Sequence, residues 1–98
     1  MPSLLITTGA LHPDGQDAYN RYASVVVPLI EAAGGKVLRR GTFQEAIVGD
    51  DCPEFIAVME FPDVDSIHVM FAGSAYRAAI PDRNLAFRDI RTFICNPL

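Results

Sequence analysis

The chain has 98 residues, half of them apolar, and a formal net charge of −4. This length predicts one compact domain spanning residues 1–98, with no room for a second. Eight basic residues among twelve acidic ones cannot build a positive surface, which argues against nucleic acid and against an anionic membrane as partners. The sequence has no apolar run of about 20 residues and no leader-like amino terminus, so we expect a soluble, cytoplasmic protein.

The first third of the chain predicts a strand followed by a helix. Ser3 to Thr8 is rich in aliphatic and β-branched residues and is bounded by Gly9, which is typical of a strand end. From about Asp14, apolar residues recur with the period of a helix as far as Gly34-Gly35. Pro28 falls within this pattern, and we expect one kinked helix rather than two.

The middle of the chain predicts a pair of strands. Lys36 to Phe43 reads as the second strand, Ala46 to Val48 as a short continuation, and residues 49–53 as a turn. The third strand, Phe55 to Phe61, ends at Pro62.

The last third predicts helical segments and a final strand. Asp63 is placed to cap a helix that ends at Gly73, and Ser74 to cap a further helical turn that stops before Pro81. Phe87 to Ile94 alternates like a strand. The resulting order, β-α-β-β-α-β, is the α+β ferredoxin-like arrangement.

The third strand is apolar on both of its faces. Phe55, Ala57, Met59 and Phe61 alternate with Ile56 and Val58. The helices of so short a chain can cover one face, whereas the second face of an antiparallel sheet is usually polar and wet. The pattern therefore predicts a homodimer in which a second copy covers Ile56 and Val58.

Several short motifs, in this order, resemble one known family, the Domain of Unknown Function 1330 family. They are Tyr19-x-x-Tyr22, Pro28, Gly34-Gly35, Arg40-Gly41, Gly49-Asp50 with Pro53-Glu54, Glu60-Phe61-Pro62, Tyr76, and Ile80-Pro81-x-Arg83. The resemblance covers nearly the whole chain. It implies a dimeric α/β barrel, in which two ferredoxin-like protomers pack their sheets face to face. The family has no secure activity, so the resemblance implies a fold and a dimer more than a function.

The chain departs from the family pattern at four places. Val48 stands where the family usually has a glutamate, and Asp51 where a tryptophan is common. Gly73-Ser74-Ala75 replaces a Ser-Pro-Glu sequence, and Met70-Phe71 replaces an aromatic pair. Any family site that depends on the missing glutamate is in doubt here.

Glu60 and Arg40 are the first candidates for a functional site. Glu60 shares its strand face with Ile56 and Val58, where a carboxylate needs a cation, and Arg40 on the neighbouring strand is a candidate for that cation. The pair is interpreted first as a structural ion pair. The alternative is a polar site in an apolar cavity that binds a small anionic or carbonyl-bearing molecule.

The other candidates for binding a ligand are three tyrosines, a histidine and an arginine: Tyr19, Tyr22, Tyr76, His68 and Arg83. The first-helix tyrosines are expected to bury their rings and to hold their hydroxyls at the core edge. His68 lies at the edge of the second helix's apolar stripe and is better explained by packing than by base catalysis. Arg83 beside Pro81 either stabilises a turn or reaches a cleft.

No motif predicts a metal, a cofactor or a covalent mechanism. Cys52 and Cys95 stand 43 positions apart without the pairing typical of zinc sites or redox dithiols, so we expect two free thiols. No serine lies in the context of a nucleophile elbow.

Three functions therefore remain open. The first is a protein that binds a small polar or carbonyl-bearing molecule between sheet and helices. The second is a cofactor-free enzyme of the monooxygenase or isomerase type, a hypothesis that depends on fold analogy alone. The third is a non-enzymatic dimerisation or interaction module.

Overall fold

The structure, a computed structural model that describes residues 1–98, contains one sheet and three helices. The elements are β1 (Ser3–Leu11), α1 (Gln16–Ala32), β2 (Lys36–Thr42), β3 (Phe55–Phe61), α2 (Val64–Ala72), α3 (Ser74–Ala86) and β4 (Phe87–Cys95). The sheet is antiparallel with the strand order β2-β3-β1-β4. This is the ferredoxin-like α+β arrangement that the sequence predicts, with two consecutive helices, α2 and α3, between β3 and β4.

One face of the sheet holds the core. Leu5 of β1 and Met59 and Phe61 of β3 pack against Ile67 and Met70 of α2, and all five are buried. A second cluster joins α1 to α3 and β4 through Ala18, Ala86 and Phe87. We call this side of the sheet the helix-covered face.

The opposite side of the sheet carries no helix, and we call it the bare face. Cross-strand pairing places Ile6 of β1 between Val58 of β3 and Phe93 of β4. Ile56 lies next to them and is 44% exposed, and Phe93 is 45% exposed. The division of β3 into a covered and an uncovered apolar face is therefore as the sequence predicts.

β1 is longer than the sequence predicts. Its pairing with β4 continues through Gly9 to Leu11, whereas the prediction ended the strand at Thr8. The backbone of β4 at Asp89 passes so close to Gly9 that a side chain there would collide with the Asp89 carbonyl. Gly9 is thus a position of close strand approach within β1 and not a strand end.

Two further predictions about element bounds are wrong. Residues 46–48 form no strand. The helix that was expected to stop before Pro81 continues through it to Ala86. Tyr76, Ala79 and Ala86 of α3 are all buried, and this packing outweighs the lost backbone donor of a proline that lies at the exposed surface.

Predicted helix boundaries agree better elsewhere. α1 is one helix that passes through Pro28 and ends before Gly34, which has a φ of +85°. Asp63 caps α2, since its carboxylate accepts hydrogen bonds from the Ser66 backbone N–H at 2.7 Å and from the Ser66 hydroxyl at 2.8 Å. No helix of the protein combines the length and the apolar character needed to cross a lipid bilayer.

Candidate functional site

A cleft lies between β4 and the helices α2 and α3. β4 is an edge strand, and its residues Ile90, Thr92 and Ile94 pair with Gly9, Thr7 and Leu5 of β1, which places them on the helix-covered face. The space between them and the helices is about 470 Å³. We call it the β4 cleft. It is lined by Leu5, Ile67, His68, Phe71, Tyr76, Arg83, Ile90, Thr92 and Ile94.

A hydrogen-bonded chain of three side chains reaches the wall of this cleft. The Arg83 Nη1 group donates to the Tyr76 hydroxyl oxygen at 3.1 Å, and the Tyr76 and Tyr22 hydroxyls are 3.0 Å apart. The Phe71 ring packs edge-on against the Tyr76 ring, with centroids 4.7 Å apart. Tyr76 is only 4% exposed. Its buried ring therefore fixes the position of its hydroxyl and of the arginine bound to it.

Arg83 has no carboxylate partner in this chain. The ion pairs are Arg21 with Asp82, Arg88 with Glu54, and Arg91 with Asp89. Four arginines lie outside these pairs: Arg39, Arg40, Arg77 and Arg83. Arg83 alone among the four is partly buried, whereas the other three are exposed to solvent. The β4 cleft consequently has an uncompensated positive charge in its wall, which favours an anionic ligand.

Tyr22 lies behind Tyr76, in the packing between α1 and α3. Burial of the side chain raises the pKa of the Tyr22 hydroxyl far above its ordinary value of 10.0, and the hydrogen bond with Tyr76 raises it further. The Tyr22 hydroxyl therefore keeps its proton throughout the physiological pH range. This tyrosine is a member of the hydrogen-bonded chain but does not line the cleft.

His68 and Thr92 lie on opposite sides of the β4 cleft. His68 is an exposed residue of α2, and its imidazole makes no hydrogen bond to another side chain or to the backbone. Thr92 is bonded to the Thr7 hydroxyl at 3.2 Å. The sequence reasoning missed Thr92, although the alternation of β4 places it on the same strand face as Ile90 and Ile94.

Two of the predicted site residues lie in a different cleft, beside β2. It has a volume of about 490 Å³ and is lined by Leu11, Tyr19, Arg40, Gly41, Thr42, Phe55, Ile56 and Ala57. We call it the β2 cleft. The Tyr19 ring packs edge-on against Phe87, with centroids 5.9 Å apart. The candidate site residues are thus divided between two clefts, with Tyr19 and Arg40 in one and His68, Tyr76 and Arg83 in the other.

The predicted contact between Glu60 and Arg40 is wrong. Glu60 pairs with Lys36 across the sheet, whereas Arg40 pairs with Ala57. The register shifts between Val37 and Arg39. One extra residue reverses the side-chain alternation, so Arg40 lies on the helix-covered face and Glu60 on the bare face. Glu60 lines neither cleft.

No group of three His, Cys, Asp or Glu side chains is placed to hold a metal ion together. Cys52 is exposed and Cys95 partly buried, and both are free thiols. The chemistry that the β4 cleft offers is accordingly that of a guanidinium, a phenol, an imidazole and a hydroxyl around an apolar floor.

Residues 6–95 match the model of a family described as a domain of unknown function, DUF1330. The chain belongs to this family. No curated protein matches it. The family match confirms the resemblance drawn from the sequence motifs and assigns no activity.

Solved structures similar to this chain confirm the fold. A protein of unknown function from Rhodopseudomonas palustris is 29% identical, with a TM-score of 0.86 over 99% of this chain and 82% of that chain. A dimeric ferredoxin-like protein of unknown function from Jannaschia is 10% identical, with a TM-score of 0.75 over 99% and 100% of the two chains. An ethyl tert-butyl ether d family protein from Bacillus halodurans is 17% identical, with a TM-score of 0.67 over the full length of both.

Proposed function

We propose that this protein is a homodimer, associated through the bare face of its sheet, that binds a small carboxylate or related oxygen anion in the β4 cleft of each protomer. The observation that carries the binding proposal is Arg83, a partly buried residue whose charge no carboxylate of the chain neutralises. A buried charge is usually paired or used, and here a ligand would supply the partner.

The apolar bare face supports the dimer. Ile6, Val58 and Phe93 lie side by side across three strands, and Ile56 adjoins them. Charged residues surround this patch, since Lys36 and Glu60 pair at one side and Arg91 lies at the other. An apolar centre with a polar rim is typical of a protein interface. The similar protein from Jannaschia is described as dimeric.

The shape of the β4 cleft supports a small ligand with an apolar body. A volume of about 470 Å³ lies within the range of roughly 300–1,000 Å³ that small-molecule sites occupy. Leu5, Ile67, Phe71, Ile90 and Ile94 supply the apolar lining. Arg83 is the only ionised group of fixed charge among the lining residues, so it would orient the charged end of the ligand.

Titration calorimetry with benzoate and benzamide tests the binding proposal. The two probes have the same shape but differ in charge, so the wild-type protein should bind benzoate at least about tenfold more tightly, as expected when a hydrogen bond acquires a charged partner. Arg83→Gln should abolish this preference. Arg77→Gln, which changes an exposed arginine of the same helix, is the matched control and should leave it intact.

Equal affinity of the wild-type protein for the two probes would contradict the proposal. So would a preference for benzoate that survives in Arg83→Gln. Circular dichroism and light scattering on each variant establish that its fold and mass match those of the wild-type protein, so that a loss of affinity reports on the cleft.

A further inference from the structure

The hydroxyl protons of Tyr22 and Tyr76 have two possible arrangements. Their oxygens are 3.0 Å apart, and either can be the donor. The Tyr76 oxygen also accepts a hydrogen bond from Arg83 at 3.1 Å. A phenol has one proton and two lone pairs. One of the two hydroxyl protons forms the bond between the tyrosines, and the other must point elsewhere.

In the first arrangement Tyr76 donates to Tyr22. The proton of Tyr22 then has no acceptor, because Tyr22 makes no other side-chain hydrogen bond and is not a wall residue of either cleft. In the second arrangement Tyr22 donates to Tyr76. The Tyr76 oxygen then accepts two hydrogen bonds, from Tyr22 and Arg83, and its own proton is free.

In the second arrangement both hydroxyl protons have an acceptor or an open space. The Tyr22 proton bonds to the Tyr76 oxygen, and the Tyr76 proton faces the cleft. Unpaired donors in a protein interior cost free energy, whereas Tyr76 lines the β4 cleft, where a ligand can accept its proton.

We infer that Tyr76 directs its hydroxyl proton into the β4 cleft beside Arg83, so that the two side chains form a two-donor site for one charged oxygen, such as that of a phenolate or an enolate. Tyr22 is a positioning residue that acts through Tyr76. This inference rests on the proposed function, since it names the chemistry of the anion bound by the same cleft.

Cooperative hydrogen bonding makes Tyr76 a better donor than an isolated phenol. Each bond received by its oxygen polarises the O–H group, and the guanidinium adds a positive charge beside it. Arg83 and Tyr76 both supply hydrogen-bond donors to the β4 cleft, and no carboxylate lines it. Such a site resembles the donor pairs that stabilise negative oxygen in enzymes, and it selects ligands whose charge is concentrated on one oxygen.

The test uses the full-length protein and 4-nitrophenolate, a coloured anion whose phenolate oxygen carries more negative charge in the ground state than in the excited state. We expect wild-type protein to bind it with a shift of its visible absorption to shorter wavelength, because donors stabilise the charged oxygen. Tyr76→Phe should weaken binding by roughly tenfold or more, the usual effect of a lost hydrogen bond to a charged group, and should reduce the absorption shift. Tyr19→Phe, in the β2 cleft, should change neither.

Tyr22→Phe distinguishes the two proton arrangements by the sign of its effect. If Tyr22 donates to Tyr76, its removal takes one bond from the Tyr76 oxygen, and affinity for 4-nitrophenolate should fall by a factor of roughly two to five. If Tyr76 donates to Tyr22, the same substitution frees the Tyr76 proton for the ligand, and affinity should rise. A rise would overturn the inference.

Failure of this inference and failure of the proposed function give different results. If Arg83→Gln weakens binding while Tyr76→Phe does not, the cleft binds anions and only the role of Tyr76 is refuted. If the wild-type protein binds neither benzoate nor 4-nitrophenolate, the cleft is not an anion site, and both proposals are wrong.

Discussion

The two faces of the sheet differ in what covers them, although alternate residues of the same strands build both. On β1, Leu5 is 2% exposed beneath α2, whereas its neighbour Ile6 lies on the face without a helix. On β3, Met59 and Phe61 are buried, whereas Ile56 is 44% exposed. The helices of one chain complete a core on one side only. The difference indicates that folding and assembly use separate faces, and the β4 cleft is lined from the helix-covered face alone.

Ile56→Asp should have the largest effect, because it places a charge in the apolar patch of the bare face, beside Val58. In a homodimer joined through this face, the unpaired charge would cost several kcal/mol and shift the protein to monomers. Light scattering at micromolar concentration measures the shift. Val69→Asp is the control, since Val69 is 72% exposed on α2, and it should leave the mass unchanged. A monomeric wild-type protein would contradict the dimer.

Ile67→Ala examines the helix-covered face in the same way. Ile67 is 1% exposed in the core cluster, so its truncation leaves a cavity and should lower the free energy of unfolding by about 2–5 kcal/mol. Ile47→Ala is the matched control, because Ile47 is 86% exposed and its truncation should change that free energy by less than about 0.5 kcal/mol. Urea unfolding monitored by circular dichroism compares them. Equal effects would show that the core is misassigned.

Tyr22→Phe should change how stability depends on alkaline pH. Because burial raises the pKa of Tyr22 in the folded protein, its contribution to stability is fully present below the ordinary tyrosine value of 10.0. That contribution is lost as the pH rises above this value toward the higher pKa of the folded state. Melting temperatures measured across this range should fall less steeply for Tyr22→Phe than for the wild-type protein. Parallel curves would contradict the burial of Tyr22.

The smallest effect is expected for the pair Arg40 and Glu60. The two side chains lie on opposite faces of the sheet, so the stability changes caused by Arg40→Ala and Glu60→Gln should add, to within about 0.5 kcal/mol, in the double variant. A larger coupling energy in urea unfolding would mean that the side chains interact and that the register of β2 differs from the one described.

Sequence patterns predicted the order of the elements and the two-sided character of β3, because alternation and helical period report directly on burial. They could not predict the shifted register near Leu38, since that irregularity depends on how β2 pairs with β3. For this reason the sequence analysis placed the Arg40 side chain beside Glu60. The predictions at Gly9 and Pro81 were wrong for a related reason. The close approach of β4 at Gly9 and the packing of α3 around Pro81 outweighed the local conformational preferences of these residues.

The site was predictable in its residue types but not in its grouping. Tyr22, Tyr76 and Arg83 were candidates from the family motifs, yet their contact joins α1 to α3 across 54 positions of sequence. The missing carboxylate partner of Arg83 is likewise a property of the packed structure, because a sequence with twelve acidic residues offers many possible partners.

Nuclear magnetic resonance of the isotopically labelled protein with benzoate tests the separation of the two faces most directly. We expect the chemical shifts of Tyr76, Arg83 and Thr92, which line the β4 cleft, to change, while those of Ile56 and Val58 stay constant and the protein keeps the mass of a dimer. Shift changes concentrated on the bare face, or loss of the dimer as benzoate binds, would contradict it.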